Sequence, residues 1–247
     1  MDANFVEVLR CAEADLVLAE LRSRKPLGAS IIEIGGGAGW QAQQLAEAGY
    51  SVRSFDVPSS EFKDKRVFPI EDYDGRTIPA PDATFDVAFS SNALEHIPNA
   101  DAFQDELRRV LKPDGVAIHI VPSATWRAHT SLAHYPWLAK SAANLIGSRL
   151  GWGASSDVHT VARAASRRSK VQLLSLIVVS PRHGEKGNAL SEVWHFSRFG
   201  WGRHFQQTGW RILSRYPNRL YYTGYGLLDG RLPIARRKQL SPLLGSA

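Results

Sequence analysis

Residues 30–39 read SIIEIGGGAG, and residues 40–49 continue as WQAQQLAEAG. A short β-branched run, a cluster of glycines and a helical pattern follow one another, which predicts a strand, a tight turn and a helix. The carboxyl ends of strands in open α/β sheets bind ligands, and the N-terminus of the following helix offers free N–H groups. Gly35–Gly39 is therefore the first candidate binding site in the chain.

The spacing of these glycines narrows the class of ligand. The dinucleotide pattern G-x-G-x-x-G does not fit, because Trp40 stands where the third glycine belongs. No Gly-Lys-Ser/Thr comes after the turn, as a triphosphate-binding loop requires. The pattern that fits is G-x-G-x-G at Gly35, Gly37 and Gly39, with the acidic Glu33 two residues earlier. A glycine-rich turn that binds no ligand is the alternative.

The residues around this turn alternate between strand and helix patterns. This alternation indicates right-handed βαβ units around a doubly wound, mostly parallel sheet, an α/β fold of the Rossmann-like type. Residues 1–122 then form the half of the domain that carries the glycine turn. Helices are predicted at residues 4–21, 40–49 and 101–111, and strands at residues 30–34, 50–55, 66–70, 85–90 and 116–121.

After residue 122 the alternation stops. We interpret residues 123–191 as an inserted, mainly helical subdomain, and residues 192–229 as the return of the chain to the same domain. Residues 230–247 form a basic tail that we expect to be mobile. The returning part consists of a helix and a closing pair of strands, at residues 192–208, 210–216 and 220–228.

Charge is distributed unevenly between the two halves. The net charge of +6 arises from 12 Lys+Arg against 20 Asp+Glu in residues 1–122, and from 18 against 4 in residues 123–247. The basic half points to an anionic partner, with a solvated basic surface as the alternative. Cys11 is the only cysteine, which excludes an intramolecular disulfide and a thiolate metal cluster. We find no pattern of a secretory signal or of a membrane span, and expect a cytoplasmic protein.

Three stretches together resemble a known family: EIGGGAG at residues 33–39, FDV at residues 55–57, and IPAPDATFDVAFSSNALEHIPN at residues 78–99 with its continuation to residue 123. They are similar to the class I S-adenosylmethionine-dependent methyltransferases with a type-11-like domain. The resemblance covers residues 30–123 and returns weakly at residues 194–228. It implies S-adenosylmethionine as the cofactor and S-adenosylhomocysteine as the product.

The resemblance also implies which residues bind the cofactor. Glu33 and the glycines hold its methionine part, and Asp56, which ends the second predicted strand, binds the ribose. Asp74 contacts the adenine, with Asp72 as the alternative, and the residues after the fourth strand lie at the methionine end. The full expected set is Glu33, Gly35, Gly36, Gly37, Gly39, Asp56, Val57, Asp72, Asp74, Gly75, Ser91, Asn92, Leu94 and His96.

The residues directly after the fourth strand narrow the type of reaction. Enzymes that methylate the amino groups of adenine and glutamine share Asn/Asp-Pro-Pro-Tyr/Phe there, whereas residues 91–94 read SNAL, which argues against those acceptors. A hydroxyl acceptor needs a general base, and histidine is the usual choice. We favour His183 as the base, with Glu185 to orient it, and His195 is the second candidate for the base. A polar loop without a catalytic role is the alternative.

Other histidines carry weaker expectations. His119 lies within a predicted strand and is expected in the core. No histidine and carboxylate have ligand spacing within one turn, so no metal site is expected. The remaining candidates for the base are His129, His134 and His159.

Residues 123–195 resemble, less specifically, insertions of methyltransferases found beside bacterial surface-polysaccharide genes. This implies an anionic glycan or glycolipid acceptor, and the alternative is that the aromatic residues pack a small core. Residues 132–150 form a weakly amphipathic helix that either lies on an anionic membrane surface or covers the acceptor. The residues available for sugar stacking and anion binding are Trp126, Arg127, Trp137 and Trp152.

Two other functions stay open. The first is an RNA methyltransferase whose basic half tracks the phosphates of the nucleic acid. The second is a non-catalytic binding protein that retains the cofactor fold as its core. The sequence does not predict the oligomeric state.

Overall fold

The computed structural model describes residues 3–149, 180–226 and 231–245. Within these ranges helices and strands alternate up to residue 120, as the sequence predicts. The described helices are α1 (Ala3–Arg24), α2 (Trp40–Glu47), α3 (Ala100–Val110), α4 (Ala124–Arg149), α5 (Ala189–His195), α6 (Arg198–Gln207) and α7 (Ile234–Leu244). The described strands are β1 (Ser30–Ile34), β2 (Ser51–Asp56), β3 (Ile70–Asp72), β4 (Phe85–Ser91) and β5 (Leu111–Ile120).

These strands form one parallel sheet in the order β3-β2-β1-β4-β5. The chain moves outward from β1 in one direction to β3 and then returns to β4 on the other side of β1. Ile34, the last residue of β1, lies opposite Phe55 of β2 and Ser90 of β4. The carboxyl ends of these central strands therefore meet at the point where the strand order reverses, which is where open α/β sheets bind ligands.

Helices cover both faces of the sheet, so the predicted doubly wound α/β fold is confirmed. On one face α1 and α2 pack through a cluster that includes Leu21 and Leu45. On the other face α3 packs through Phe103 and Leu107. Burying each such side chain contributes about 1.5–3 kcal/mol. A third cluster, which includes Trp126, joins the start of α1 to α4 and to the C-terminal part of the chain.

His119 lies in β5, as predicted. Its Nδ1 atom is 2.8 Å from Oγ of Ser90, and its ring stacks on Phe205 at 5.5 Å between centroids. Desolvation, with a smaller effect of the His204 charge, lowers the pKa of His119 to about 4. The imidazole is therefore neutral near pH 7 and serves the packing between β5 and α6.

The third strand lies further along the chain than predicted. β3 spans Ile70–Asp72 rather than residues 66–70. Pro69 lacks the N–H group that a strand ladder requires, so the strand begins after it. This shift places the last residue of β3 opposite Asp56.

The turn after β4 is separate from the helix that follows it, which the sequence predicts at residues 101–111. Leu94–His96 is a separate 3₁₀ turn, and α3 begins at Ala100. The side chain of Asn99 caps α3 by accepting a hydrogen bond from the backbone of Ala102. The turn therefore belongs to the end of β4 and is not the first turn of α3.

The helix predicted at residues 192–208 is divided into α5 and α6. The chain leaves the helical conformation at Ser197, whose Oγ accepts a hydrogen bond from the backbone N–H of Gly200 at 3.0 Å. Serine in this position ends one helix and caps the next. The break allows Phe196 to turn into the third cluster.

The predicted closing strands at residues 210–216 and 220–228 are not strands in the described part of the chain, which reaches residue 226. Side chains hold residues 210–216 beside α1 instead: the Tyr216 hydroxyl donates to Glu20 at 3.1 Å, and Arg24 donates to Ser214 at 3.3 Å. A cavity of 1090 Å³ is lined both by β5 and by residues 210–218. The described residues of this segment add no strand to the sheet, which ends at β5.

The basic tail predicted at residues 230–247 contains a helix, α7, rather than a mobile segment. Arg237 explains the difference. Its guanidinium lies 4.2 Å from the ring centroid of Phe5 and donates to the carbonyl oxygens of Tyr221 and Leu232 at 3.0 and 2.8 Å. A cation on an aromatic face with satisfied donors can be buried, so the tail packs on α1.

Some expectations fall outside the described ranges. Trp152, His159 and the end of the helix predicted at residues 132–150 belong to this group. The domain boundaries, including the insertion at residues 123–191, stay predictions. In the part of the chain that the structure describes, every helix is too short or too polar to cross a bilayer.

Candidate functional site

The glycine turn begins directly after β1. The backbone N–H groups of Gly35 and Gly36 donate to the carbonyl oxygen of Phe55 at 2.8 and 3.1 Å, which attaches the turn to β2. Gly35, Gly37 and Gly39 have φ angles of 76°, 59° and 86°, a region that glycine adopts readily. The alternate glycines of the sequence pattern are thus the ones whose backbone requires glycine.

The turn has no room for a side chain beneath it. A Cβ atom at Gly36 would collide with Oγ of Ser54 and would lie 2.9 Å from Oε2 of Glu33. A Cβ atom at Gly37 would lie 3.6 Å from the ring of Phe62, which borders the turn. Glycine therefore lets the backbone pack closely against these side chains, and no side chain of the turn covers the backbone where a ligand would approach.

Two carboxylates lie next to the turn at different depths. Glu33 is buried beneath it and accepts a hydrogen bond from Oγ of Ser54 at 2.5 Å. Burial raises the pKa of Glu33 to about 7, against the effect of the Ser54 hydrogen bond and with a smaller contribution from Asp56. The oxygens of Asp56 accept the backbone N–H groups of Gly37 and Val57 at 2.9 and 2.8 Å. Each keeps a lone pair for a ligand hydroxyl.

The residues expected near adenine lie at the neighbouring strand end. Asp72 forms ion pairs with two basic side chains at 2.8 and 3.1 Å. Asp74 caps a turn by accepting two backbone N–H groups, both at 2.8 Å, and is in no ion pair among the residues that the structure describes. A Cβ atom at Gly75 would lie 3.3 Å from the Val57 side chain, so this loop reaches the end of β2. Asp74 thus has the carboxylate with more capacity left for a ligand.

The end of β4 carries the residues expected at the methionine end. Ser91 is buried, and its Oγ donates to Glu13 at 3.2 Å and accepts from the Asn92 side chain at 3.1 Å. Asn92 has a φ angle of 50°, so the chain turns sharply after β4. A Cβ atom at Gly35 would lie 2.5 Å from that of Ala93, which brings this turn against the glycine turn. The structure therefore places these two predicted groups together.

Glu13 of α1 connects this edge of the sheet to the C-terminal part of the chain. Its side chain is buried; Oε2 accepts from Arg10 at 2.7 Å and from Ser91 at 3.2 Å. Oε1 accepts from the Asn218 amide and the Tyr222 hydroxyl, both at 3.2 Å. A buried carboxylate with four donors is fully satisfied, so it acts as a rigid junction.

A second cluster lies in the turn after β4. Glu95 has a buried side chain, and neither of its carboxylate oxygens has a hydrogen-bond partner within residues 3–149, 180–226 and 231–245. Its Oε1 lies 3.6 Å from Nε2 of His183 and 3.8 Å from Nε2 of His96. The ring of Trp126 is 4.6 Å from that of His183, and burial lowers the pKa of His96. A carboxylate and two imidazoles therefore face one another.

The loop that carries His183 is held by a buried ion pair. Nε of Arg127 donates to Oε2 of Glu192 at 2.6 Å, and the two side chains are 1% and 0% exposed. Oε1 of Glu192 accepts the backbone N–H groups of His183 and Gly184 at 2.8 and 2.7 Å. Arg127 also donates to the carbonyl oxygen of Pro181 at 2.8 Å. The backbone of the loop is thus fixed by α4 and α5.

The carboxylate beside His183 is Glu95 and not Glu185, which we had expected to orient it. The Glu185 carboxylate is 41% exposed and lies 3.8 Å from Arg182. Its backbone N–H instead donates to the carbonyl oxygen of Glu95 at 2.9 Å. His195 is exposed at the end of α5 and lies outside the cluster. The loop is joined to the turn after β4 through its backbone, which turns the Glu185 side chain outward.

The aromatic and basic residues of the predicted insertion have structural partners. Trp126 lies in the third cluster and Arg127 in the ion pair, so packing accounts for both. Trp137 packs against Tyr225 at 5.1 Å between ring centroids. His129 and His134, considered as bases, contact the Leu244 carbonyl oxygen and the Tyr225 hydroxyl at 3.0 and 3.1 Å.

Sequence reasoning missed Glu13, Glu95 and Glu192. Each is an acidic residue with a buried side chain. Glu95 lies in the stretch at residues 78–99, next to His96, which was expected to bind the cofactor. Glu13 lies between apolar residues on the buried side of a helix. Glu13 could have been found, because it is an acidic residue at a helical position that the pattern predicts to be buried. Glu192 could not, because its partner Arg127 lies in a helix that is distant in the sequence.

Comparisons with known proteins identify the family of the chain. Residues 7–177 match the family model of a methyltransferase domain. An uncharacterized methyltransferase of Mycobacterium bovis (strain BCG / Pasteur 1173P2) is 28% identical over 141 residues, which cover 53% of this chain and 55% of that protein. An uncharacterized methyltransferase of Mycobacterium tuberculosis (strain ATCC 25618 / H37Rv) is similar to the same extent. The chain thus spans about half the length of these curated relatives.

Two solved structures are similar to this chain to different extents. A SAM-dependent methyltransferase from Aquifex aeolicus has a TM-score of 0.50 and 17% sequence identity, with 87% of both chains covered. An S-adenosylmethionine-dependent methyltransferase from Mesorhizobium loti has a TM-score of 0.39 and 25% identity, over 44% of this chain and 55% of that one. The first similarity extends over most of the chain and supports the architecture described above.

Proposed function

The chain belongs to the methyltransferase domain family, and we propose that it transfers a methyl group from S-adenosylmethionine to a hydroxyl group of an anionic bacterial glycan or glycolipid. S-adenosylmethionine is the methyl donor, and S-adenosylhomocysteine is the product. The observation that carries the choice of a hydroxyl acceptor is the position of His183. Its Nε2 lies 3.6 Å from the buried carboxylate of Glu95, in the turn after β4.

The residues at the sheet edge fit this cofactor. The bare turn at Gly36 has no space for a Cβ atom, and Asp56 has lone pairs left for the ribose hydroxyls. Asp74 would contact the adenine, and Ser91 and Asn92 would hold the methionine end. The sulfonium group of the cofactor supplies an electrophilic methyl group. The protein therefore has to orient the acceptor, exclude water and take up a proton.

His183 takes up the proton of the acceptor hydroxyl. The carboxylate of Glu95 favours the tautomer with hydrogen on Nε2, which leaves the lone pair of Nδ1 to accept the proton, and it stabilises the imidazolium that forms. Trp126 packs on the ring, and the Arg127–Glu192 ion pair fixes the backbone. The imidazole is therefore oriented before the acceptor binds.

The class of acceptor is inferred from charge and exposed aromatic groups. The second half of the chain is strongly basic, and Trp194 and Phe199 are 58% and 64% exposed on neighbouring helices. The guanidinium of Arg198 lies 5.2 Å from the Phe199 ring. Aromatic faces stack on sugars, and arginine binds phosphate or carboxylate groups. A lipid-linked acceptor would bring the protein to the cytoplasmic surface of the membrane, which is one of the two alternatives given above for the helix at residues 132–150.

The proposal is tested by methyl transfer from radiolabelled S-adenosylmethionine to a fractionated bacterial extract. We expect label in a nuclease-resistant glycan or lipid fraction, and none with Asp56→Ala. His183→Ala is expected to lower the rate by about 10²–10⁴-fold without changing cofactor affinity, which calorimetry measures. An unchanged rate would remove His183 from the mechanism.

The same assay separates the competing functions. Label in a nuclease-sensitive fraction would replace the glycan acceptor by RNA. Cofactor binding without label in any fraction of extracts from several bacteria would favour a binding protein that retains the fold. Absence of cofactor binding would overturn the proposal as a whole.

A further inference from the structure

Glu95, His96 and His183 direct three metal-ligating atoms toward one another. Oε1 of Glu95 lies 3.8 Å from Nε2 of His96 and 3.6 Å from Nε2 of His183, and all three ligand atoms lie within 4.8 Å of one another. Bonds of about 2.0–2.2 Å to a zinc ion place neighbouring ligands about 3–4 Å apart. Small rotations of the side chains therefore complete a coordination shell.

The state of the Glu95 carboxylate distinguishes this cluster from a chance group of polar residues. Its side chain is 0% exposed, and both oxygens are without a hydrogen-bond partner among the described residues. Buried carboxylates nearly always have partners, because burial of an uncompensated charge is unfavourable. The carboxylate is aimed at two imidazoles, so a cation held jointly by the three groups would satisfy it.

The types of ligand indicate the class of metal. Two imidazole nitrogens and one carboxylate oxygen suit zinc, cobalt and nickel dications, whereas magnesium and calcium prefer oxygen ligands alone. The side chains of His96 and His183 are 46% and 34% exposed, so an ion has access from solvent. Glu95 closes the inner side of the site.

The fold holds these ligands in place before an ion arrives. Glu95 and His96 lie in the same turn after β4, and the Glu185 N–H joins the second loop to that turn at the Glu95 carbonyl oxygen. Glu192 binds the backbone of His183 from beneath. Ligands positioned by such contacts lose little freedom on binding.

We propose that Glu95, His96 and His183 bind one transition-metal dication of the zinc type, and that this ion switches off methyl transfer. A metal on Nε2 of His183 occupies the lone pair of the neutral imidazole and leaves hydrogen on Nδ1, so the ring can no longer accept the hydroxyl proton. The inhibition rests on the proposed function, whereas metal binding does not. The proposal departs from the sequence, which led us to expect no metal site.

Metal binding is tested without an acceptor, by titration of cobalt dication into the untagged, chelator-treated protein and measurement of its visible absorption. We expect one equivalent to bind and zinc to displace it. Glu95→Gln and His96→Ala are each expected to weaken binding by at least about tenfold. The matched control is His195→Ala, which removes an exposed histidine outside the cluster and is expected to leave the affinity unchanged.

Two results would overturn the metal site: no binding by the wild-type protein, or binding that survives both Glu95→Gln and His96→Ala. Circular dichroism and thermal unfolding identify a variant that fails to fold. His96 is half exposed, so His96→Ala keeps the test decisive if Glu95→Gln unfolds the protein.

The regulatory part is tested in the methyl-transfer assay with zinc added and then removed by a chelator. Reversible inhibition supports the proposal. Transfer that increases with zinc would retain the metal site but overturn both the inhibition and the role of His183 as a base. Transfer unaffected by saturating zinc would overturn the inhibition alone, while absence of transfer from all metal-free samples would count against the proposed function.

Discussion

The cofactor side of this protein and the side that we propose for the acceptor, called the acceptor side below, are built in different ways. The cofactor side consists of the glycine turn and the ends of β2 and β4, which neighbouring strands bring together through backbone hydrogen bonds. The acceptor side gathers side chains from α1, the turn after β4, α4, and the loop and helix at residues 180–195. It is held by buried charges, of which Arg127 and Glu192 are the central pair.

This difference predicts different responses to mutation. A site made of backbone tolerates loss of one side chain, since the sheet still positions the rest. A site made around a buried ion pair does not, because removal of one partner leaves an uncompensated charge in the interior. The acceptor side is therefore expected to be the more sensitive in folding, and the cofactor side the more sensitive in ligand binding.

The largest effect is expected from Glu192→Ala. Removal of this carboxylate leaves the Arg127 guanidinium buried without its partner and frees the N–H groups of His183 and Gly184. We expect the free energy of unfolding to fall by about 3–5 kcal/mol, measured by urea denaturation. Unchanged stability would show that the two sides do not differ as described.

A pH-dependent effect of about 3 kcal/mol is expected for Glu33, on the cofactor side. Its folded-state pKa of about 7 lies above the ordinary value of 4.5, so the folded protein retains a proton that the unfolded chain releases. Glu33 therefore makes the protein less stable as the pH rises from 4.5 to 7. Glu33→Gln should gain about 3 kcal/mol relative to wild type over this window, in unfolding measured at several pH values.

His119 provides a control of opposite sign. Its pKa of about 4 lies below the ordinary value of 6.5, so the unfolded chain binds the additional proton and stability rises with pH between these values. His119→Gln should remove that rise. The difference in the free energy of unfolding between wild type and Glu33→Gln should change between pH 4.5 and 7. A constant difference would contradict the raised pKa of the buried Glu33.

The next effect concerns mainly binding. Asp56→Asn retains the shape of the side chain but replaces one of two carboxylate oxygens, each of which accepts a backbone N–H group, by an NH₂ group that cannot accept. We expect the dissociation constant for S-adenosylmethionine to rise by about 10–100-fold, together with a loss of about 1–3 kcal/mol in the free energy of unfolding, because one backbone N–H group loses its acceptor. Calorimetry measures the affinity, and Asp72→Asn serves as the matched control at the neighbouring strand end. Equal weakening by both variants would mean that Asp56 contributes no more to cofactor binding than Asp72.

The smallest effect is expected from Arg53→Ala. Arg53 pairs with Glu71 across β2 and β3 at 2.8 Å, but the two side chains are 39% and 48% exposed to solvent. Exposed pairs contribute about 0–1 kcal/mol, so urea denaturation should show a loss within that range. A loss as large as that of Glu192→Ala would mean that burial does not separate the two regions.

The elements that the sequence predicted well are those with a strong local signal. The strand at residues 30–34 and the helix that starts at Trp40 are found where expected, because β-branched runs and glycine turns act over a few residues. The closing strands at residues 210–216 and 220–228 were wrong for the described residues. Alternating apolar residues there favour a strand, but contacts with α1 hold the first segment away from the sheet.

The sequence by itself determined the α/β class, the glycine turn and Asp56 at the next strand end, since a strand, a turn and the following strand place these groups whatever the rest of the chain does. Only the tertiary structure decided which acid faces His183. Glu95 and Glu192 reach that loop through contacts between separate elements, and such pairings depend on packing between helices rather than on local pattern. The spacing in the sequence favoured the nearby Glu185 as the acid that orients His183, whereas in the folded chain the buried Glu95 faces it.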